Sequence, residues 1–191
     1  MAVYPLVIAP DPRLNQASKK VEAVDDSIRT LCKDMLETMY ANHGIGLAAV
    51  QVGVHKRIIV IDLSNAATRY GDSDNANFKP MVLINPEIIA ESGDLSRYNE
   101  GCLSFPDQYS DVERPAQVTV RFLDEHGTQH TIEAKGLLAT CIQHEIDHIN
   151  GVVFVDHISK LKRDMILKRL TKAKKLGMID VNVADEVPAN R

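Results

Sequence analysis

Between Gln143 and Phe154 the chain reads QHEIDHINGVVF, which sets His144 and His148 four residues apart with Glu145 beside the first. On a helix, residues so spaced lie one turn above each other with a rise of roughly 6 Å, so both imidazoles can face one metal ion. Glu145 then projects to nearly the same side, where a carboxylate can move a proton. Hydrolytic metal sites commonly take three protein ligands and leave one position open for water. The third ligand has to come from another part of the chain.

Three places could supply it. Cys141 shares the helix face through its Cys-x-x-His spacing, but it sits one turn below His144 while the ion lies above, toward His148. Its short side chain cannot cover that distance, so it is expected to line a pocket beside the metal. Asp156 and His157 follow the motif, as the third ligand does in zincin proteases, yet neither stands in a zincin-like context. Cys102, in Asn99-Glu100-Gly101-Cys102-Leu103-Ser104, is the better candidate, because thiolate is a strong ligand and the glycine permits an unusual backbone path.

The elements that must position these residues can be read from periodicity. From Asp26 the apolar residues Ile28, Leu31, Met35, Leu36, Met39 and Tyr40 recur at helical spacing until Asn42-His43-Gly44. RIIVIDL (57–63) and MVLI (81–84) read as short strands, and Gln117 to Leu123 pairs with Thr128 to Ala134 through a turn at Asp124 to Gly127. Gly136 opens the helix that carries the motif, with Leu138, Ile142, Ile146 and Ile149 as its buried stripe and Gly151 at its end. A last helix begins near Ser159, with Leu161, Met165, Leu170 and Leu176 expected inward. Ser64 to Pro80 has no period and reads as a surface loop. The expected class is α+β, with mostly antiparallel sheets around a central metal-binding helix and helices near both ends. Residues 1–176 form one expected domain and 177–191 a flexible tail.

The chain has 191 residues, 45% of them hydrophobic, and a formal charge of -4. That is enough for one sizeable core, and the overall charge gives no bias toward nucleic acid or membrane. Charge is unevenly placed, however. Eight basic residues against Asp164 give the segment Ser159 to Leu176 a charge of +7, which leaves -11 on the rest. Three cysteines, Cys32, Cys102 and Cys141, and the lack of any leader or membrane-length apolar run suggest a reduced, cytoplasmic setting.

Three segments together, GIGLAAVQ (44–51), EGCLS (100–104) and QHEIDHING (143–151), resemble the motifs of the peptide deformylases in order and spacing. The similarity runs from about Leu6 to the last helix. HExxH alone has real false positives, but the three motifs jointly are specific. The resemblance implies a bacterial, cytoplasmic metallohydrolase that removes the formyl group from N-formylmethionine of nascent polypeptides and releases formate. Cys102, His144 and His148 would bind the metal with water as the fourth ligand, and metal-bound hydroxide would attack the formyl carbonyl. Glu145 would act as general base and then acid, while the Gln51 amide and the Leu103 N–H would stabilise the oxyanion. Ile45, Gly46, Glu100, Gly101 and Cys141 would contact the peptide and its methionine side chain. The implied cofactor is one Fe2+ per chain, with Ni2+, Co2+ or Zn2+ as substitutes, although a thiolate with two imidazoles would by itself favour zinc.

The basic last helix is by the same resemblance a candidate ribosome contact, against the plainer reading of a solvated helix face. No membrane partner is expected, and the chain is expected to be a monomer. Gln143 and Asp147 fit a shell supporting the metal ligands, though a surface role suits Asp147 equally, and Arg114, outside the site residues, is open between a contact with the peptide backbone and a pair with a carboxylate. His43, His55, His126, His130 and His157 show no partners by spacing. Phe105 and Val50 depart from the residues common in the family, and Phe105 is expected to reshape the substrate groove. Two other functions remain open: an HExxH peptidase cutting internal bonds, and a catalytically silent ribosome-binding module.

Overall fold

The computed structural model describes residues 2–64, 66 and 78–179. Most of the Ser64 to Pro80 loop, and the tail from residue 180 onward, lie outside the described residues.

Helix α1 spans Asp26–Ala41. Its start is fixed by Asp25, whose carboxylate accepts a 3.0 Å bond from the Ile28 N–H and satisfies one of the donors that a helix leaves free there. Ile28, Cys32, Met35 and Met39 form its buried face. Strands β1 (Gly46–Ala48), β2 (Ile58–Ile61), β3 (Met81–Glu91), β6 (Gln117–Leu123) and β7 (Gln129–Lys135) make an antiparallel sheet in the order β1-β2-β3-β6-β7. Strands β4 (Leu95–Cys102) and β5 (Phe105–Pro115) form a separate two-stranded antiparallel ribbon.

The sheet sits between two apolar layers, and β2 shows why. Successive strand residues point to opposite faces, so Ile58 and Val60 pack with Met35 and Met39 of α1, while Ile59 and Ile61 join Ile142, Ile146 and Ile149 on the other side. Those three isoleucines belong to α2 (Gly136–Ile149), which follows β7 without a loop. A third cluster joins Val7, Leu14, Phe105 and Phe154 to Ile166 and Leu170 of α3 (Lys160–Lys175). The antiparallel α+β reading therefore holds.

Several local expectations do not. On α3, Leu170 is buried but Leu161, Met165 and Leu176 are 73%, 47% and 61% exposed, and the buried partner is Ile166. The helix rests on the body through about one turn, where Ile166 and Leu170 are buried and Leu167 packs beside them, so a continuous apolar stripe is not needed. The ribbon was not foreseen. Its inward positions on β5, Ser110, Val112 and Arg114, alternate as a strand should, but two of the three are polar, so no apolar period marks it.

Candidate metal centre

Cys102 ends β4 at the ribbon's turn, where Cys102 pairs with Phe105 across Leu103 and Ser104. His144 and His148 project from successive turns of α2 toward it. One ligand atom from each of the three residues lies within 4.8 Å of the others, the one such grouping among the described residues. Cys102 Sγ is 3.1 Å from His148 Nε2. The N-terminal segment braces both loops that face the ligands, through bonds from the Val7 N–H to the Gln51 carbonyl (2.7 Å) and from the Ala9 N–H to the Ser104 carbonyl (2.9 Å).

The surroundings suit a cation. His144 Nδ1 lies 2.8 Å from Glu100 Oε2. An ionised carboxylate can only accept, so the proton sits on Nδ1 and the Nε2 lone pair is left for a metal. Burial works against the charge on Glu100, yet the bonds from His144 and Arg114 outweigh it and hold the carboxyl down at about 2. Arg114 is 5% exposed and grips both Glu100 oxygens, at 2.6 and 3.0 Å, while its other amino group reaches Asp147 at 2.7 Å. Asp147 in turn accepts from His157 at 2.7 Å. A chain of polar contacts thus runs outward from the buried metal ligand, through buried Glu100 and Arg114 to half-buried Asp147 and exposed His157.

Of the two readings the sequence left open for Arg114, the pair with a carboxylate is the one observed. Asp147 belongs to this supporting chain, whereas Gln143 bonds the Pro115 and Ala139 carbonyls. Spacing also failed to find partners for His55, at 3.1 Å from the Arg13 carbonyl, and for His130, at 2.7 Å from Asp124. Both pairs form only when distant or turn segments meet.

Gln51 is held in one orientation. Its Oε1 accepts from the Ala48 N–H at 2.8 Å, which aims Nε2 toward Ser104 Oγ at 3.2 Å and Cys102 Sγ at 3.4 Å. Glu145 is 4% exposed, and its Oε2 has no hydrogen-bond partner. Burial pushes its carboxyl up to about 7, with the Glu100 charge acting in the same sense against His144. A Cβ on Gly46 would lie 2.5 Å from Glu145 Oε1 and 2.8 Å from Cys141 Sγ, so only glycine lets β1 come this close to the carboxylate.

A pocket beside the ligands is lined by Ile45, Gly46, Glu100, Gly101 and Cys141, and also by Leu137 and Thr140. The last two were missed, though stepping back from His144 by helical spacing would have reached them. Cys141 both faces the pocket and packs into the core. A wider groove of about 770 Å³ continues from it past Leu6, Tyr40, Asn42, His43, Pro106, Asp107 and Tyr109. Phe105 lines neither. It is 2% exposed and packs edge-on against Phe154 at 5.2 Å, because the strand alternation turns it inward, so the expected effect on the groove is not seen. Val50 is fully buried.

One cysteine sulfur and two imidazoles converging beside a buried carboxyl group with an unpartnered oxygen define a mononuclear metal site of the hydrolytic class. The polypeptide deformylase family model matches residues 3–164. The chain is 56% identical over 173 residues to a peptide deformylase of Agrobacterium fabrum, covering 91% of this chain and 97% of that one. It is 54% identical over 175 residues to one from Rhizobium meliloti, covering 92% and 96%. A crystal structure of the Ehrlichia chaffeensis peptide deformylase superposes with a TM-score of 0.84 at 43% identity, covering 93% of this chain and 100% of that one. The chain belongs to the peptide deformylase family, whose members are metalloenzymes, and it is an enzyme of that kind.

Proposed function

We propose that the chain removes the formyl group from N-formylmethionyl nascent polypeptides, with water as co-substrate and formate and a free amino terminus as products. The observation that carries the reading is Glu145, buried with one oxygen unpartnered beside the converged Cys102, His144 and His148. These three residues would hold a divalent cation, which supplies Lewis acidity and lowers the pKa of water.

The remaining work falls to the chain. Glu145 takes a proton from the attacking water and delivers one to the departing amine, so that the C–N bond breaks without expelling an amide anion. The Gln51 amide, locked by Ala48, and the backbone N–H of Leu103 donate to the formyl oxygen as negative charge develops on it. Glu100 and Arg114 keep His144 in the tautomer that presents Nε2. β1 is an edge strand of its sheet, so Gly46 offers a free backbone edge to an extended peptide with Gly101 opposite, and Ile45, whose carbonyl is bonded by the Asp62 N–H, flanks the peptide at the start of the strand. The methionine side chain enters the pocket lined by Ile45, Cys141 and the stem of Glu100.

For the metal we favour ferrous iron. Protein purified without oxygen is expected to contain iron and to release formate from a formylmethionyl peptide. Full activity of protein carrying only zinc would contradict this.

The partner we assign to α3 is ribosomal RNA. All eight of its basic side chains are exposed, while one turn of the helix, Ile166 and Leu170, anchors it. Neutralised phosphates release counterions, so binding to ribosomes is expected to weaken steeply as salt rises. Replacing Lys168, Lys172 and Lys175 by Glu should lower ribosome affinity by about 10-fold or more at low salt while leaving formate release from a short peptide unchanged. Sedimentation with ribosomes checks this, and unaltered binding would refute it.

A further inference from the structure

One face of α2, formed by Leu137, Thr140, Cys141, His144 and Glu145, walls the pocket beside the metal ligands. Two of these residues, Glu145 and Thr140, hold a buried polar atom without a partner, and the proposed hydrolysis uses only that of Glu145. Thr140 is 4% exposed, and its hydroxyl has no hydrogen-bond partner. A helical threonine commonly donates to the carbonyl four residues back. Thr30, Thr38 and Thr171 all do so, at 2.9, 2.7 and 2.8 Å. Thr140 is the helical threonine, among the described residues, that does not. A buried hydroxyl without a partner costs stability, and a binding pocket is where such a cost can be offset by a ligand.

We infer that Thr140 is a specificity-determining residue whose hydroxyl donates to the thioether sulfur of the formylmethionine side chain. The inference rests on the reading of this pocket as the methionine site. Thr140 lies one helical turn below His144, a depth of roughly 6 Å. The sulfur of methionine lies three bonds beyond its Cα, at the depth such a side chain reaches when its formyl group sits beside the ligands. Sulfur is a weak acceptor, and among the other α2 residues of the wall Leu137 is apolar, the Cys141 thiol is a weak donor already turned to the Ile45 carbonyl at 3.7 Å, and His144 and Glu145 belong to the metal site. The hydroxyl therefore separates methionine from norleucine, which has the same length but a methylene in place of sulfur.

The test is kcat/KM for formate release from formylmethionyl and formylnorleucyl versions of one peptide, measured on the metal-loaded wild type, Thr140→Val and Thr140→Ser. The methionine-to-norleucine ratio is expected to fall about 5-fold in Thr140→Val, through loss on the methionine peptide, and to persist in Thr140→Ser. The Tm of Thr140→Val should match or exceed that of the wild type, since the hydroxyl makes no bond within the folded chain. A ratio unchanged by Thr140→Val overturns the inference and leaves the deformylase reading intact. A wild type that cleaves neither peptide overturns that reading, and the inference with it.

Discussion

Glu145→Gln is expected to lower the rate of formate release by about 10² to 10⁴-fold while the protein keeps its metal, its KM and its fold. Glutamine preserves the size of the side chain but cannot take a proton from water. Because the carboxylate is 4% exposed with one oxygen unpartnered, its neutral replacement should leave Tm unchanged or raise it. A residue needed for architecture behaves in the opposite way. Single-turnover kinetics, metal content and thermal denaturation on one preparation separate the cases, and loss of metal together with activity would assign Glu145 a supporting role.

Arg114→Met should act through stability and metal binding. It leaves the Glu100 carboxylate, 4% exposed, without the guanidinium that grips both its oxygens. Removing one member of a buried charged pair costs about 3–5 kcal/mol, which for a chain of this size lowers Tm by roughly 10 °C. The His144 imidazole also loses the brace that fixes its tautomer, so affinity for Co2+ should fall about 10 to 100-fold. Arg114→Lys, with charge but no fork to span Glu100 and Asp147, should fall between. Differential scanning calorimetry and equilibrium dialysis check both effects, and wild-type values of both in Arg114→Met would remove Arg114 from the account.

What the sequence disclosed depended on where the information lay. His144, His148 and Glu145 are tied by helical spacing, so their convergence could be read directly. Cys102 and Gln51 come from other elements, and their proximity followed from the joint motifs. For Arg114 the sequence allowed a carboxylate partner but could not name it. In the ribbon Ser96 faces Arg114 and Glu100 faces Ser110, so the arginine must reach back along a shared face to Glu100, a contact set by a register that no apolar alternation advertises. Thr140 was concealed differently, since a threonine on a buried helix face ordinarily bonds its own backbone.

The α3 error has the same root. Four leucine and methionine positions fit a helical stripe, yet the body covers Ile166 and Leu170 fully and Leu167 in part, and of the four expected positions only Leu170. Helical periodicity reports which residues could share a face, and the surface opposite decides how many of them are covered.

The most direct test is product analysis by mass spectrometry after incubating metal-loaded protein with a long N-formylmethionyl peptide. The account predicts formate and the intact peptide with a free amino terminus, and nothing shorter. Fragments cut at internal bonds with the formyl group retained would contradict it and point to a peptidase.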